Sequence, residues 1–163
     1  FLAKRADCPV VLTPHPGEMA RLADCDVKSV QRDRIGTAVA AARESAAVVV
    51  LKGAGTVVAD ADGALSVNLT GNPGMATGGM GDVLSGLLAG LAAQGIDRRI
   101  AARAAVYLHG AAGDRAARAS SEQGLTPADV IDQLPYAWRD ARERAGCSGV
   151  RRAIGKEQDD ADL

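Results

Sequence analysis

The sequence predicts an α/β fold, with a largely parallel sheet and helices on its faces. Three observations carry this expectation. Short β-branched runs alternate with helical patterns along the chain. The clearest of these runs, AAVVVLKG at residues 46–53, is unbroken rather than alternating, as expected for a strand covered on both faces. Three loops rich in Gly, Pro and polar residues, at 14–18, 52–56 and 72–82, fall at or near strand ends, where ligands sit in such sheets.

The elements follow in order. Residues Val10 to Thr13 form a short β-branched run, which Pro14 and Pro16 end with an extended turn. A short helix is predicted from Gly17 to Ala23. A longer one is predicted from Val27 to about Ser45, with Val30, Ile35, Val39 and Ala42 roughly on one face. The strand at 46–53 comes next. After it TVVADADGALSVN reads as a hairpin: Thr56 to Ala59, a turn at Asp60 to Gly63, then Ala64 to Val67. Beyond the glycine loop, GDVLSGLLAGLAAQG is a helix apolar nearly all round and so predicted to be buried. Gly86 and Gly90 each cost such a helix roughly 1 kcal/mol against Ala, which suggests a backbone packed close to them. Gly95 suits its C-terminus. A helix from about Asp97 to Ala119 follows. A last one opens with Thr126 as N-cap and Pro127 at the first helical position. From Arg151 to Leu163 the chain is charged and aperiodic, so the domain is read as 1–146 with a disordered tail at 147–163.

Composition narrows the function. A chain of 163 residues is long enough for one domain with a core. With 2% aromatic residues, that core must be built from Val, Leu, Ile and Ala. A net charge of -1, with no basic stripe and little to stack on bases, argues against nucleic acid. The apolar run Val83 to Ala93 is too short to span a membrane. Cys8, Cys25 and Cys147 are odd in number and form no CxxC pair. That disfavours a disulfide framework or zinc site and suits a reducing cytoplasm.

The loops carry the chemistry. Gly78, Gly79 and Gly81 precede a helix starting near Gly81 or Asp82. Free amides and the positive end of the helix dipole there make an anion site. It is not a Walker A loop, because no Lys-Ser/Thr follows. A carboxylate at an anion site repels its ligand unless it has a task. Asp82 suits one: removing the proton from a hydroxyl that attacks a phosphoryl group. A flexible connection whose Asp82 merely caps the helix accounts for the same spacing. Lys52, followed by Gly53 and Gly55, can meet a phosphate or stand as a solvated charge. His15 sits rigidly between two prolines, and Glu18 is either part of a polar cluster with it or simply a helix N-terminal acid. His109 is read as a packed or capping histidine.

Taken together, LTPHPGEMARL (12–22), LKGAGTVV (51–58) and GNPGMATGGMGDVLSGLLAGL (71–91) resemble the NAD(P)H-hydrate dehydratases. These form the YjeF C-terminal-domain family of the ribokinase-like superfamily. The likeness runs from about Cys8 to about Tyr136 and includes AVYLHGAAGD (105–114) and LTPADVIDQLP (125–135). It implies a three-layer α/β/α fold with a mostly parallel sheet. The implied activity is repair of the S-form of hydrated NADH or NADPH at the expense of ADP, giving AMP and phosphate; some members use ATP.

By this resemblance, His15 and Asp82 contact the hydrate, and Asp82 is the catalytic base. Lys52, Gly53, Ala54, Gly55, Thr56 and Gly81 line the nucleotide site. The stretch Gly78, Gly79, Met80 and Gly81 cradles the transferring phosphoryl group. Glu18 stands where the wider superfamily has an acid that helps hold Mg²⁺ through water. An NAD(P)H-hydrate epimerase is the implied functional partner, on the same chain or separate, and a homo-oligomer is compatible with the family. Family members carry a substantial stretch before the TPHPGE strand, which supplies the first strands of the sheet and part of the hydrate site. The portion read here therefore predicts half a site and an open sheet edge. Two alternatives remain: a ribokinase-like kinase of a thiazole or pyrimidine alcohol, and an inactive nucleotide-binding fragment.

Overall fold

The structure, a computed structural model, describes residues 10–146. Cys8, Cys147 and the charged tail lie outside that range. The elements run β1 (Val11–Leu12), α1 (Pro16–Leu22), α2 (Val27–Arg32), α3 (Arg34–Ser45), β2 (Val48–Leu51), β3 (Thr56–Ala59), β4 (Leu65–Asn68), α4 (Met80–Ala93), α5 (Arg98–Ala119) and α6 (Pro127–Arg144). A 3-10 turn, Pro73–Met75, lies inside the glycine loop.

The sheet order is β1-β2-β3-β4. Val11 pairs with Val48 in parallel, whereas β2-β3 and β3-β4 are antiparallel. Among the described strands the sheet is therefore mixed, with one parallel pairing where a largely parallel sheet is predicted. Short connections are the cause: the loops at 52–55 and 60–64 can only reverse direction, while a parallel neighbour needs a crossover such as α1–α3.

Three layers form because β2 is buried on both faces. Val49 and Leu51, with Val57 and Ala59 of β3, face a core closed by Met19, Ala20, Val30, Ala38 and Ala42 from α1–α3. Val48, Val50 and Val58 face the opposite core, closed by Leu84 and Leu91 of α4 and by Ala101, Ala102, Ala105 and Val106 of α5. Period-2 alternation along the strands thus feeds two helical layers. A third cluster joins α4, α5 and α6 through Met80, Ala112, Ala116, Val130 and Ala137. No helix among the described residues is long and apolar enough to cross a membrane.

Two element expectations need correction. The helix predicted from Val27 to Ser45 is two helices. Asp33, with φ -136° and ψ 74°, ends α2 and begins α3, its carboxylate accepting from the Gly36 amide at 2.8 Å. The chain turns there, leaving Ile35 exposed while Val30 and Ala42 stay in the core. The helix predicted to be buried all round, α4, buries only Met80, Leu84 and Leu91. A Cβ at Gly86 or Gly90 would meet nothing within 4 Å, so no backbone packs there among the described residues. β1 is an edge strand of the described sheet, and Leu88 and Ala92 of α4 lie on its side of the helix. A groove of about 810 Å³ runs beside them, lined by Val11, Leu88, Ala92, Ile96 and Arg99.

Candidate functional site

The 14–18 loop is built by its own sequence. Pro16 opens α1, where its missing N–H costs nothing. His15 is the N-cap, and its Nδ1 accepts from the amides of Gly17 at 3.0 Å and Glu18 at 3.2 Å. Glu18 closes a capping box by accepting the His15 amide at 2.6 Å. An accepting Nδ1 fixes the imidazole as the Nε2–H tautomer, with Nε2 3.4 Å from Glu18 Oε1. The side chain of His15 is half-exposed, so the ring is both oriented and reachable.

Lys52 joins this loop to the next two. Its amide donates to the Pro14 carbonyl at 2.9 Å. Its Nζ lies 3.6 Å from Glu18 Oε2. A methyl built on Gly81 would stand 3.3 Å from the same Nζ. The ammonium is therefore flanked by the PHPGE acid on one side and by the glycine loop on the other. The carboxyl of Glu18 is held below its usual range, first by the His15 amide hydrogen bond, which outweighs the opposing effect of burial, and then by the charge of Lys52. Beyond Lys52 the chain needs glycine: Gly53 has φ +137° and Gly55 φ +63°. Thr56 Oγ1 donates to the Gly53 carbonyl at 2.9 Å, closing the loop. Gly53 and Ala54 are exposed.

The glycine loop is anchored from behind. Helix α5 carries Gly110 and Gly113 on one face, and a side chain at either position would collide with Thr70 or Met75. Thr70 Oγ1 donates to the Tyr107 carbonyl at 3.0 Å. Asp114 accepts from the Gly71 amide at 3.0 Å and from Asn72 Nδ2 at 3.1 Å. Asn72 in turn caps the 3-10 turn through Gly74, and Gly74 packs against the Glu122 carbonyl. Gly79, at φ +88°, is the N-cap of α4, with Pro127 of α6 behind it. Gly78 faces open space. The helix begins at Met80, a residue before its predicted start, and Asp82 stands exposed in its first turn.

The structure thus brings His15, Glu18, Lys52 and Gly81 into one cluster. It sets Gly53 to Thr56 on the loop leaving that cluster, and Asp82 one residue past Gly81. Asp114 has no counterpart in the sequence reading. Its signal was the small pair Gly110 and Gly113 just before it on the same helix, which marks a surface where another segment lies close. His109, predicted to be packed, has an Nε2 that is buried without a partner. Burial pushes its imidazole down to about 4, against a hydrogen bond to the Met80 backbone that pulls the other way.

Among the described residues no group of three or more His, Cys, Asp or Glu could cage a metal. A magnesium ion that keeps its waters and takes phosphate oxygens needs only one or two carboxylates. Glu18, ionised and part-exposed, fits that use and not an all-protein cage.

A three-layer α/β/α scaffold with glycine loops gathered at one place defines the chain as ribokinase-like. It is similar at TM-score 0.65 and 33% identity to a ribokinase-like superfamily protein from Enterococcus faecalis, covering 80% of this chain and 44% of that one. It is similar at TM-score 0.78 and 39% identity to an ADP/ATP-dependent NAD(P)H-hydrate dehydratase from Bacillus subtilis co-crystallised with ATP and Mg²⁺, covering 85% and 52%. In sequence it is 53% identical over 135 residues to a bifunctional NAD(P)H-hydrate repair enzyme of Moorella thermoacetica, covering 83% of this chain and 26% of that enzyme. It is 42% identical over 127 residues to the ADP-dependent (S)-NAD(P)H-hydrate dehydratase of Xanthomonas campestris, covering 78% and 44%. The family profile of NAD(P)H-hydrate dehydratase matches residues 2–136. The chain belongs to the NAD(P)H-hydrate dehydratase family. It spans about a quarter of the bifunctional relative and about half of the solved dehydratase.

Proposed function

We propose that this chain carries the phosphoryl-transfer half of an ADP-dependent dehydratase that repairs the S-form of hydrated NADH and NADPH. The observation that carries the reading is the position of the Lys52 ammonium, between the Glu18 carboxylate and the glycine loop that leads into Asp82. A cation and a row of amides suit an anionic co-substrate, and an exposed carboxylate beside them suits a proton acceptor.

Asp82 takes the proton of the ring hydroxyl, whose oxygen attacks the terminal phosphorus of ADP as AMP leaves. The amides of Gly78 to Gly81 and the charge of Lys52 stabilise the transferring group. The ring nitrogen then expels phosphate, and loss of a ring proton restores the dihydropyridine. His15, its ring fixed by two amides, orients the hydrate. The loop of Lys52, Gly53, Ala54, Gly55 and Thr56 holds the nucleotide. Glu18 would hold Mg²⁺ through water, and that ion would supply charge neutralisation at the phosphates. ATP is the alternative phosphoryl donor. An NAD(P)H-hydrate epimerase, which would convert the other epimer into substrate, is the proposed functional partner, and the cytoplasm, where these nucleotides are used, the proposed site of action.

The test is to incubate the chain with hydrated NADH, Mg²⁺ and ADP and follow the return of NADH absorbance and the release of phosphate. Activity is expected to need the rest of the family domain, supplied in trans or fused. Asp82→Asn should abolish turnover while ADP still binds. A stable phosphorylated product would instead identify a kinase, and near-normal turnover of the Asn variant would remove Asp82 as base.

A further inference from the structure

Arg34 is absorbed by none of the motifs above, yet its side chain reaches the proposed nucleotide loop. It sits at the first position of α3, far in sequence from that loop. Its Nη2 donates to the carbonyls of Leu51 at 3.1 Å, Lys52 at 3.3 Å and Gly55 at 3.4 Å. Its Nη1 donates to Gln31 Oε1 at 2.9 Å, which fixes the plane of the fork. A Cβ on Gly53 would lie 3.2 Å from both terminal nitrogens. The loop therefore bends around the guanidinium, and Gly53 supplies the positive φ, +137°, that this bend uses. The group is half-buried, and burial lowers its pKa; arginine remains charged regardless.

The consequence for the loop is geometric. In a trans peptide the carbonyl and the following N–H point to opposite sides. Drawing the Lys52 carbonyl onto Arg34 turns the Gly53 N–H away from the guanidinium, to the outer side of the loop. Gathering three carbonyls on a cation also removes their partial negative charge from the approach of an anion. We propose that Arg34 is a positioning residue: it holds the 52–56 loop in the shape that receives the phosphates of an adenine nucleotide, without touching the nucleotide itself. The proposal rests on the nucleotide role assigned to this loop above.

The choice of arginine follows from its shape. A planar fork serves the loop carbonyls and Gln31 at once, whereas a lysine ammonium at that distance cannot span them. In Arg34→Lys and Arg34→Ala, amide hydrogen exchange at residues 53–56 is expected to quicken in the ligand-free chain, with protection of β2, α4 and α5 unchanged. The dissociation constant for ADP, measured by calorimetry, should rise about tenfold or more, while that for hydrated NADH stays within about twofold. Millimolar guanidinium should restore ADP affinity to Arg34→Ala and not to a Lys52→Ala control.

Unchanged exchange at 53–56 in both variants would overturn the proposal. Equal weakening of ADP and hydrate would do so too, as would loss of protection throughout the molecule in Arg34→Lys, since either would make Arg34 a general brace. A wild-type chain that binds no ADP would overturn the functional reading instead. The exchange experiment needs no ligand and would still decide whether Arg34 sets the loop.

Discussion

Lys52 illustrates how one side chain ties separate loops together. Its amide holds Pro14, its ammonium faces Glu18, and Gly81 leaves room beside it. Lys52→Ala should therefore weaken ADP more than hydrate; the reverse order in titrations of the two ligands would overturn the division of the site. His109 gives the residue scale a pH dependence. Its folded pKa lies near 4 against 6.5 unperturbed, so between those values the unfolded chain binds more protons. Its contribution is complete above about pH 6.5 and is lost as pH falls towards 4, an effect of about 3 kcal/mol. Urea unfolding at stepped pH should show this acid loss in the wild type and a shallower one in His109→Gln. Equal slopes would mean that His109 is not buried neutral. In the sequence His15, Lys52 and Asp82 stood out because Pro and Gly flank them. Arg34 and Asp114 did not, because the loop groups they hold lie 17 to 43 residues away and are mostly backbone atoms.

At the scale of elements, charge at the hairpin turn adds to the apolar packing of Val58 in joining the hairpin to α5. Asp60, at the start of the turn, is 2% exposed and pairs with Arg99 in the first turn of α5, which also reaches Asp62 at 2.7 Å. Removing one partner strands a buried charge, which costs about 3–5 kcal/mol. Arg99→Ala is expected to lose stability on that scale by denaturant unfolding, and Asp60→Asn added to it should recover part of the loss. A fall below about 0.5 kcal/mol would place the pair among ordinary surface contacts. Strand and hairpin positions were readable because β-branched runs and Gly or Asp turns act locally. The break at Asp33 was missed because helical periodicity continues across it, and only the carboxylate turning onto Gly36 stops one helix and starts the next. The burial of α4 was overread because Leu, Ala and Gly on all sides say only that a helix can be buried, not which neighbours it has.

For the molecule as a whole, one sheet serves two cores. Val49 points into the α1–α3 layer, and its neighbour Val50 into the α4–α5 layer. Val49→Ala and Val50→Ala should each cost roughly 2 kcal/mol, and each should leave a single unfolding transition seen alike by circular dichroism and by Trp138 fluorescence. Two resolved transitions would mean that the layers unfold independently. The open face of α4 and the edge of β1 belong to this scale too. The solved dehydratase is about twice the length of the stretch it shares with this chain.

Local chemistry in the sequence was enough to determine the fold class and the family. Unbroken Val runs require cover on both faces, glycines mark where the backbone leaves the ordinary φ range, and the joint pattern of three loops identifies the family. Tertiary structure alone decided that Lys52 faces Glu18 and Gly81, that Arg34 gathers the carbonyls beside it, and that Asp114 holds the start of the glycine loop. Such contacts join residues distant in the chain, and their geometry is set by how the layers pack, which no local pattern encodes.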